Sequence, residues 1–325
     1  MKRFTIQQLE FMKELGDVLN FSYDLDVINY HAKRNFKKLI KCAEHFYSHQ
    51  IENIANNIKA RKAKIVLLAG PSSCGKTTSS IRIKKELAKL KIKARVISMD
   101  DFFVNKVDTP LLPDGTYDFE NVTAVDIPTF KKFLKDILSK NSAVLPKYDF
   151  VSGTRCENKR IKISDDEVLL IEGIHALNPL FLKAIEKKRI FKIYISVSSN
   201  FIHGSEVIIT SKKLRLMRRM LRDYYKRKTS IQNTLEWWKK VRIGESAYIL
   251  PYRTTADVIL NTTHLFEPLL YDTYLRPLLE KEPESEEINE LLEIFKKTGR
   301  MTKEDLPKSS LAWEFLPSDI DISDN

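Results

Sequence analysis

Gly70, Gly75, Lys76 and Thr77 lie in AGPSSCGKTT and satisfy the spacing G-x-x-x-x-G-K-[ST]. Small residues between the glycines, Ser72, Ser73 and Cys74 among them, let successive backbone N–H groups turn inward around phosphate oxygens. A helix beginning where the loop ends adds its positive pole, and Thr78 falls in that first turn. Lys76 then reaches the outer phosphates, and the Thr77 hydroxyl becomes a ligand for Mg²⁺. The pattern predicts binding of a nucleoside triphosphate; a glycine turn with no ligand is the alternative. Cys74 is read as a small residue that fits the loop.

Holding a polyphosphate is not yet a reaction. In ISMDDFF, Asp100 and Asp101 stand where a short apolar run ends, the edge that faces the ligand crevice of an open parallel sheet. A carboxylate there can take the proton of an attacking hydroxyl and share the metal, which makes Asp100 the candidate base. Capping of the next turn is the competing explanation. Glu172, in VLLIEGIHALNP, is a second carboxylate at a strand end and is read as a metal ligand, direct or through water. Its neighbour His175 is read as structural. Further on, KKLRLMRRMLRDYYKRK puts Arg215, Arg218, Arg219 and Arg222 on one helix sector, with Arg227 beyond. Arginines so concentrated can clamp phosphate oxygens and neutralise charge developing in transfer, or can form a solvated basic face.

These residues need elements to position them. KIVLLAG, ARVISM, EVLLIEG, FKIYIS and ADVIL are short branched runs separated by helical or irregular segments, the pattern of a parallel sheet covered on both faces. AVLPKYDFVSGTRCENKRIKI predicts a hairpin outside that sheet. From Phe36 to Ile58 apolar residues recur at helical spacing, so one long amphipathic helix is expected to pack on a neighbouring surface. The last forty or so residues, through EPESEE to LPSDIDISDN, are read as a short acidic helix with a poorly ordered end. Residues 1–62 are taken as a helical extension, 63–281 as the domain with the chemistry, and 282–325 as an acidic tail.

Composition narrows the class. With 55 Lys and Arg against 43 Asp and Glu, the net charge is +12, yet no zinc-finger or RNA-recognition pattern accompanies it. A solvated lysine-rich surface is therefore preferred to a nucleic-acid interface. No apolar run is long enough to span a bilayer, and Glu10, Glu14 and Asp17 argue against a transit peptide. Three dispersed cysteines suggest neither a disulfide framework nor a zinc site, so a cytoplasmic setting is expected. Oligomeric state stays open, a homo-oligomer included.

In order along the chain, AGPSSCGKTT, ISMDDFF, DGTYDFENVTAVD, LPKYDFVSGTR, LLIEGIHALNP, LRLMRRMLRD and ADVIL resemble the uridine kinase / phosphoribulokinase family of P-loop kinases, from Lys64 to about Glu280. The resemblance implies an α/β fold of the P-loop NTPase type, three layers α/β/α with a mainly parallel five-stranded sheet, an accessory β-hairpin and a helical lid. It implies ATP as phosphoryl donor, with Gly70, Ser72, Ser73, Cys74, Gly75, Lys76, Thr77 and Thr78 around its phosphates and Arg227 beside it. Thr77, Asp100 and Glu172 would surround Mg²⁺. Asp100, Lys76, Arg219 and Arg222 would carry the transfer. The acceptor, a small-molecule hydroxyl compound with uridine or cytidine favoured, would meet Asp100, Phe103, Phe119, Glu120, Tyr148, Phe150, Arg155 and Arg219. One departure stands out. Where animal uridine–cytidine kinases carry a histidine that contacts the pyrimidine, YDFVSGTR has Gly153. The chain looks closer to a bacterial branch in which the kinase follows a threonyl-tRNA-synthetase-like region, here absent except for its terminal helix. The same kinase chemistry on another alcohol or sugar phosphate, and a P-loop ATPase or switch with no acceptor, are the alternatives.

Overall fold

Residues 22–182 and 189–317 are described by a computed structural model; readings that fall on 1–21, 183–188 and 318–325 lie outside the described residues. The five branched runs become β2 (Ile65–Ala69), β3 (Ala94–Ser98), β6 (Val168–Glu172), β7 (Ile190–Ser196) and β10 (Val258–Asn261). They form one all-parallel sheet in the order β10-β7-β2-β6-β3. The central strand β2 is buried throughout and divides its side chains by period two. Val66 and Leu68 enter one apolar core; Ile65, Leu67 and Ala69 enter the other. The result is a three-layer α/β/α fold.

On the first face lie α1 (Leu25–Ala60) and α2 (Lys76–Lys89). At Asn35 the α1 backbone leaves helical geometry, and the Asn35 side chain accepts from Lys38 N at 3.0 Å, capping the longer portion. The periodic face expected from Phe36 onward is that portion. It seats through Tyr47, whose hydroxyl is 2.7 Å from Ser79 Oγ on α2, and through a two-way amide bond between Gln50 and the Asn261 backbone. The opposite face is covered by α3 (Ile127–Lys140) and α4 (Pro179–Leu182), with Phe102, Phe130, Phe133 and Phe181 interlocked edge to face.

The predicted hairpin is β4 (Ser142–Asp149) with β5 (Thr154–Lys162), a separate two-stranded sheet. The arginine-rich segment forms α5 (Ser211–Arg227) and is followed by α6 (Ile231–Tyr248), α7 (Glu267–Tyr274) and α8 (Arg276–Leu279). A small sheet of β1 (Ser22–Asp24), β8 (Asn200–His203) and β9 (Glu206–Ile209) was not expected; its strands are too short to show a period. The acidic helix is α9 (Glu286–Lys296). Disorder expected beyond it does not begin there. Leu306, Leu311, Ala312, Trp313, Phe315 and Leu316 are buried, so residues 301–317 form an ordered strap across the first face.

Candidate active site

The loop between β2 and α2 has two left-handed residues, Ser73 (φ 60°) and Gly75 (φ 84°). Alternation of this kind turns consecutive N–H groups to one side and builds an anion nest. Gly75 has no side chain to cap α2, so the first amides of the helix are left for partners from outside it. Lys76 Nζ donates to Gly70 O at 2.9 Å and Pro71 O at 3.1 Å, and no carboxylate among the described residues pairs with it. Thr77 is exposed, whereas Cys74 is fully buried and Ser73 nearly so.

Two strand ends deliver carboxylates to the mouth of this loop. β6 ends in Glu172, which accepts from Ser98 Oγ at 3.0 Å, and β3 runs on into Asp100. Ser98 is shared, since Asp100 N donates to the same hydroxyl at 3.3 Å. Burial and the negative charge of Asp100 push Glu172 up to about 7. Burial raises Asp100 as well, against the pull of Lys76 and Arg227. Asp101 points elsewhere and is paired with Lys147 at 2.9 Å. Two desolvated carboxylates beside an ammonium and a hydroxyl are a site short of positive charge.

α5 does not present its arginines as one clamp. Arg215 and Arg218 are buried and consumed structurally. Arg215 makes a bidentate pair with Glu245 at 2.7 and 2.8 Å, and Arg218 makes one with Glu267 at 2.7 and 2.9 Å. Both also donate to the phosphate loop backbone, at Ser72 O and Ser73 O. Arg219, Arg222 and Arg227 form the outer set. Arg219 Nη1 reaches Ser72 Oγ at 3.0 Å, and all three converge on Asp223, at 3.2, 2.8 and 3.4 Å.

An aromatic cluster joins the hairpin to the segment that follows Asp100. Phe103 meets Phe119, Tyr148 and Phe150, with ring centroids 5.7–6.2 Å apart; Tyr148 is buried and Phe150 mostly exposed. Glu120 is brought beside Arg219; burial lifts its carboxyl to about 7, and its Oε2 has no hydrogen-bond partner among the described residues. Arg155 is used differently from expectation. It ties the hairpin to the site floor through Phe103 O (3.0 Å), Phe102 O (3.1 Å) and Asp126 (3.0 Å), leaving its guanidinium engaged. His175 is buried against Tyr248, and desolvation holds it neutral, down to about 4.

Three residues of consequence escaped sequence reasoning. Asp223 was legible from its i, i+4 spacing to Arg219 and Arg227. Glu245 and Glu267, partners of the buried arginines, carried no local signal. The site's oxygen donors, Thr77, Asp100 and Glu172, suit a hard cation such as Mg²⁺ that keeps waters and phosphate oxygens in its shell. The nest, with a lysine that no described carboxylate pairs with, suits a polyphosphate.

Comparison with known proteins follows the same lines. The family model described as Phosphoribulokinase / Uridine kinase family matches residues 65–265. The uridine kinase of Mycoplasma genitalium is 28% identical over 61% of this chain and 85% of its own length. Uridine-cytidine kinase B of Dictyostelium discoideum is 27% identical over 63% of this chain and 77% of its own. Among solved structures, D-glycerate 3-kinase from Cryptococcus neoformans superposes with a TM-score of 0.43 at 13% identity, covering 63% of this chain and 89% of that one. With the family model spanning the phosphate loop, both strand-end carboxylates, the hairpin and the arginine helix, the chain belongs to the phosphoribulokinase / uridine kinase family of P-loop kinases.

Proposed function

We propose that this protein transfers the γ-phosphoryl group of ATP to a hydroxyl of a small molecule, with the 5′-OH of uridine or cytidine the favoured acceptor and pyrimidine salvage the setting. The observation that carries the reading is the position of Asp100. It lies at the end of β3, within electrostatic reach of Lys76 and Arg227 and sharing Ser98 with Glu172. A carboxylate raised by burial and opposed by a lysine is suited to accept a proton from an alcohol at neutral pH. Thr77, Asp100 and Glu172 would hold Mg²⁺, which when bound supplies charge neutralisation at the phosphates. Lys76 and the nest amides orient the phosphates, Arg219 and Arg222 turn from Asp223 toward developing negative charge, and the aromatic cluster excludes water.

Acceptor identity is where the chain parts from animal uridine–cytidine kinases. Gly153 sits at φ 69° in the hairpin turn, and a Cβ there would lie 2.9 Å from Lys106 Cβ. A histidine at this position would be strained and would collide with Lys106. The loop is built around glycine, so a base would have to be read by other groups, for which we propose Glu120 and the Phe103–Phe119 pair. This observation favours keeping a second reading, the same transfer to a different alcohol or sugar phosphate.

An acceptor screen with labelled ATP, covering nucleosides, sugars and sugar phosphates, tests both readings. Label is expected on uridine or cytidine. Label on a sugar phosphate alone would select the second reading, and ATP hydrolysis unaffected by every acceptor would defeat both. Asp100→Asn is expected to lower transfer by about 10²–10⁴-fold while leaving ATP affinity nearly unchanged. Near-normal turnover of that variant would remove Asp100 from its role.

A further inference from the structure

The positive end of α2 already holds an anion. Glu314, 236 residues downstream of Thr78, accepts from Thr78 Oγ1 at 2.6 Å and from Thr78 N at 3.3 Å through one oxygen, Oε2. Thr78 is the third residue of the helix that follows the phosphate loop, and its amide is among those such a loop turns toward phosphate. A carboxylate therefore stands where a phosphate oxygen would accept the same two hydrogen bonds. It is also close enough to Glu172 for the two charges to repel.

Glu314 is delivered by the strap. Leu311 packs on Gly75 so closely that a Cβ there would come within 2.6 Å of its Cδ1. Arg218 lies over the Phe315 ring at 5.0 Å, Lys226 Nζ donates to Trp313 O, and Arg82 Nη1 donates to Ser309 O at 3.1 Å. Contacts from α2 and α5 thus fix the backbone on both sides of Glu314. Exposing Leu311, Trp313, Phe315 and Leu316 would cost roughly tenfold or more in the equilibrium for each side chain. Rotating Glu314 alone breaks two hydrogen bonds, both of which an arriving phosphate would restore. The side chain can move while the strap stays docked.

We propose that Glu314 is a built-in competitor of the nucleotide: its carboxylate occupies one phosphate position of the cradle, and nucleotide binding requires its displacement. The proposal rests on the reading of the loop as a triphosphate site. It makes the C-terminal strap an autoinhibitory element, and any event that draws residues 306–317 away from α2 raises nucleotide affinity. The competing account is that Glu314 is only a tertiary cap that stabilises α2.

Calorimetric titration of the full chain and of Glu314→Gln separates the two accounts, with Mg²⁺ present and with ATP or inorganic tripolyphosphate as ligand. Glutamine keeps an oxygen for Thr78 and removes the charge. Both ligands are expected to bind the variant about tenfold more tightly. Equal or weaker binding of tripolyphosphate by the variant overturns the proposal, whatever ATP does. If tripolyphosphate gains affinity while ATP binds neither protein, the competitor stands and the nucleotide reading falls. Binding of no phosphate ligand to either protein overturns both. Should Glu314→Gln fail to give the native circular-dichroism spectrum, Glu314→Ala is titrated in its place and read by the same criteria.

Discussion

Glu120 shows how one side chain can carry a pH dependence of its own. Its carboxyl is raised by burial from 4.5 to about 7, Arg219 and Lys76 opposing the rise and Asp100 adding to it. A group that binds its proton more tightly when folded favours the folded state at low pH. That advantage is lost as pH rises from about 4.5 through about 7. His175, lowered to about 4, has the opposite sign between about 4 and 6.5. In a comparison of native protein with Glu120→Gln the histidine contribution cancels. Urea unfolding of the ligand-free proteins is expected to show the variant gaining about 1–3 kcal/mol relative to the native chain between pH 5 and pH 8. A difference that is flat with pH would mean that Glu120 is ionised throughout.

Among the elements, α5 does two jobs with one run of arginines, and the register of the helix sorts them. Arg215 and Arg218 face inward, each paired with a buried carboxylate and each touching the phosphate loop backbone. Arg219, Arg222 and Arg227 face the mouth and wait on Asp223. Arg218→Met is expected to cost about 3–5 kcal/mol of unfolding free energy, because Glu267 would be left charged and unpaired in the core. The double variant with Glu267→Gln should recover much of that loss in the same denaturant titration. A single variant as stable as the native chain would show that the pair contributes nothing net.

The same elements mark what could be read beforehand. Strands β2 and β6 were legible because a fully buried parallel strand needs an unbroken branched run, and IVLLA and VLLIE supply one. The loop was legible because its chemistry constrains spacing. Asp100, Glu172 and Arg219 followed from their positions at strand ends and on a helix face. What was hidden depends on tertiary partners. A helical wheel cannot tell that Arg218 is wholly buried, since that burial exists only once Glu267 arrives from another helix. The strap was hidden for a related reason. Leu306, Leu311, Trp313, Phe315 and Leu316 follow neither helical nor strand period, lying in turns and one short 3₁₀ segment (Leu311–Glu314).

At the scale of the whole molecule, α1 shares a core with α2, β10 and the strap, holding them through Tyr47, Gln50 and the Arg61–Asp257 pair at 2.6 Å. We expect a chain beginning at residue 63 to lack a cooperative thermal transition, because it would expose the apolar face of α2 and the edge of the sheet. A sharp transition close to that of the intact protein would instead establish 63–325 as an independent folding unit. The sheet order carries a consequence for time rather than for energy. β2 is the first of the five strands to leave the ribosome, yet its two neighbours, β6 and β7, lie about a hundred residues or more later, and Glu314 more than a hundred beyond β7. At about 5–20 residues per second of synthesis, the loop exists for many seconds as an unpaired apolar strand with no sheet to hold it. Its competence to meet a phosphate is acquired late, and the carboxylate that guards it arrives later still, after the sheet is complete.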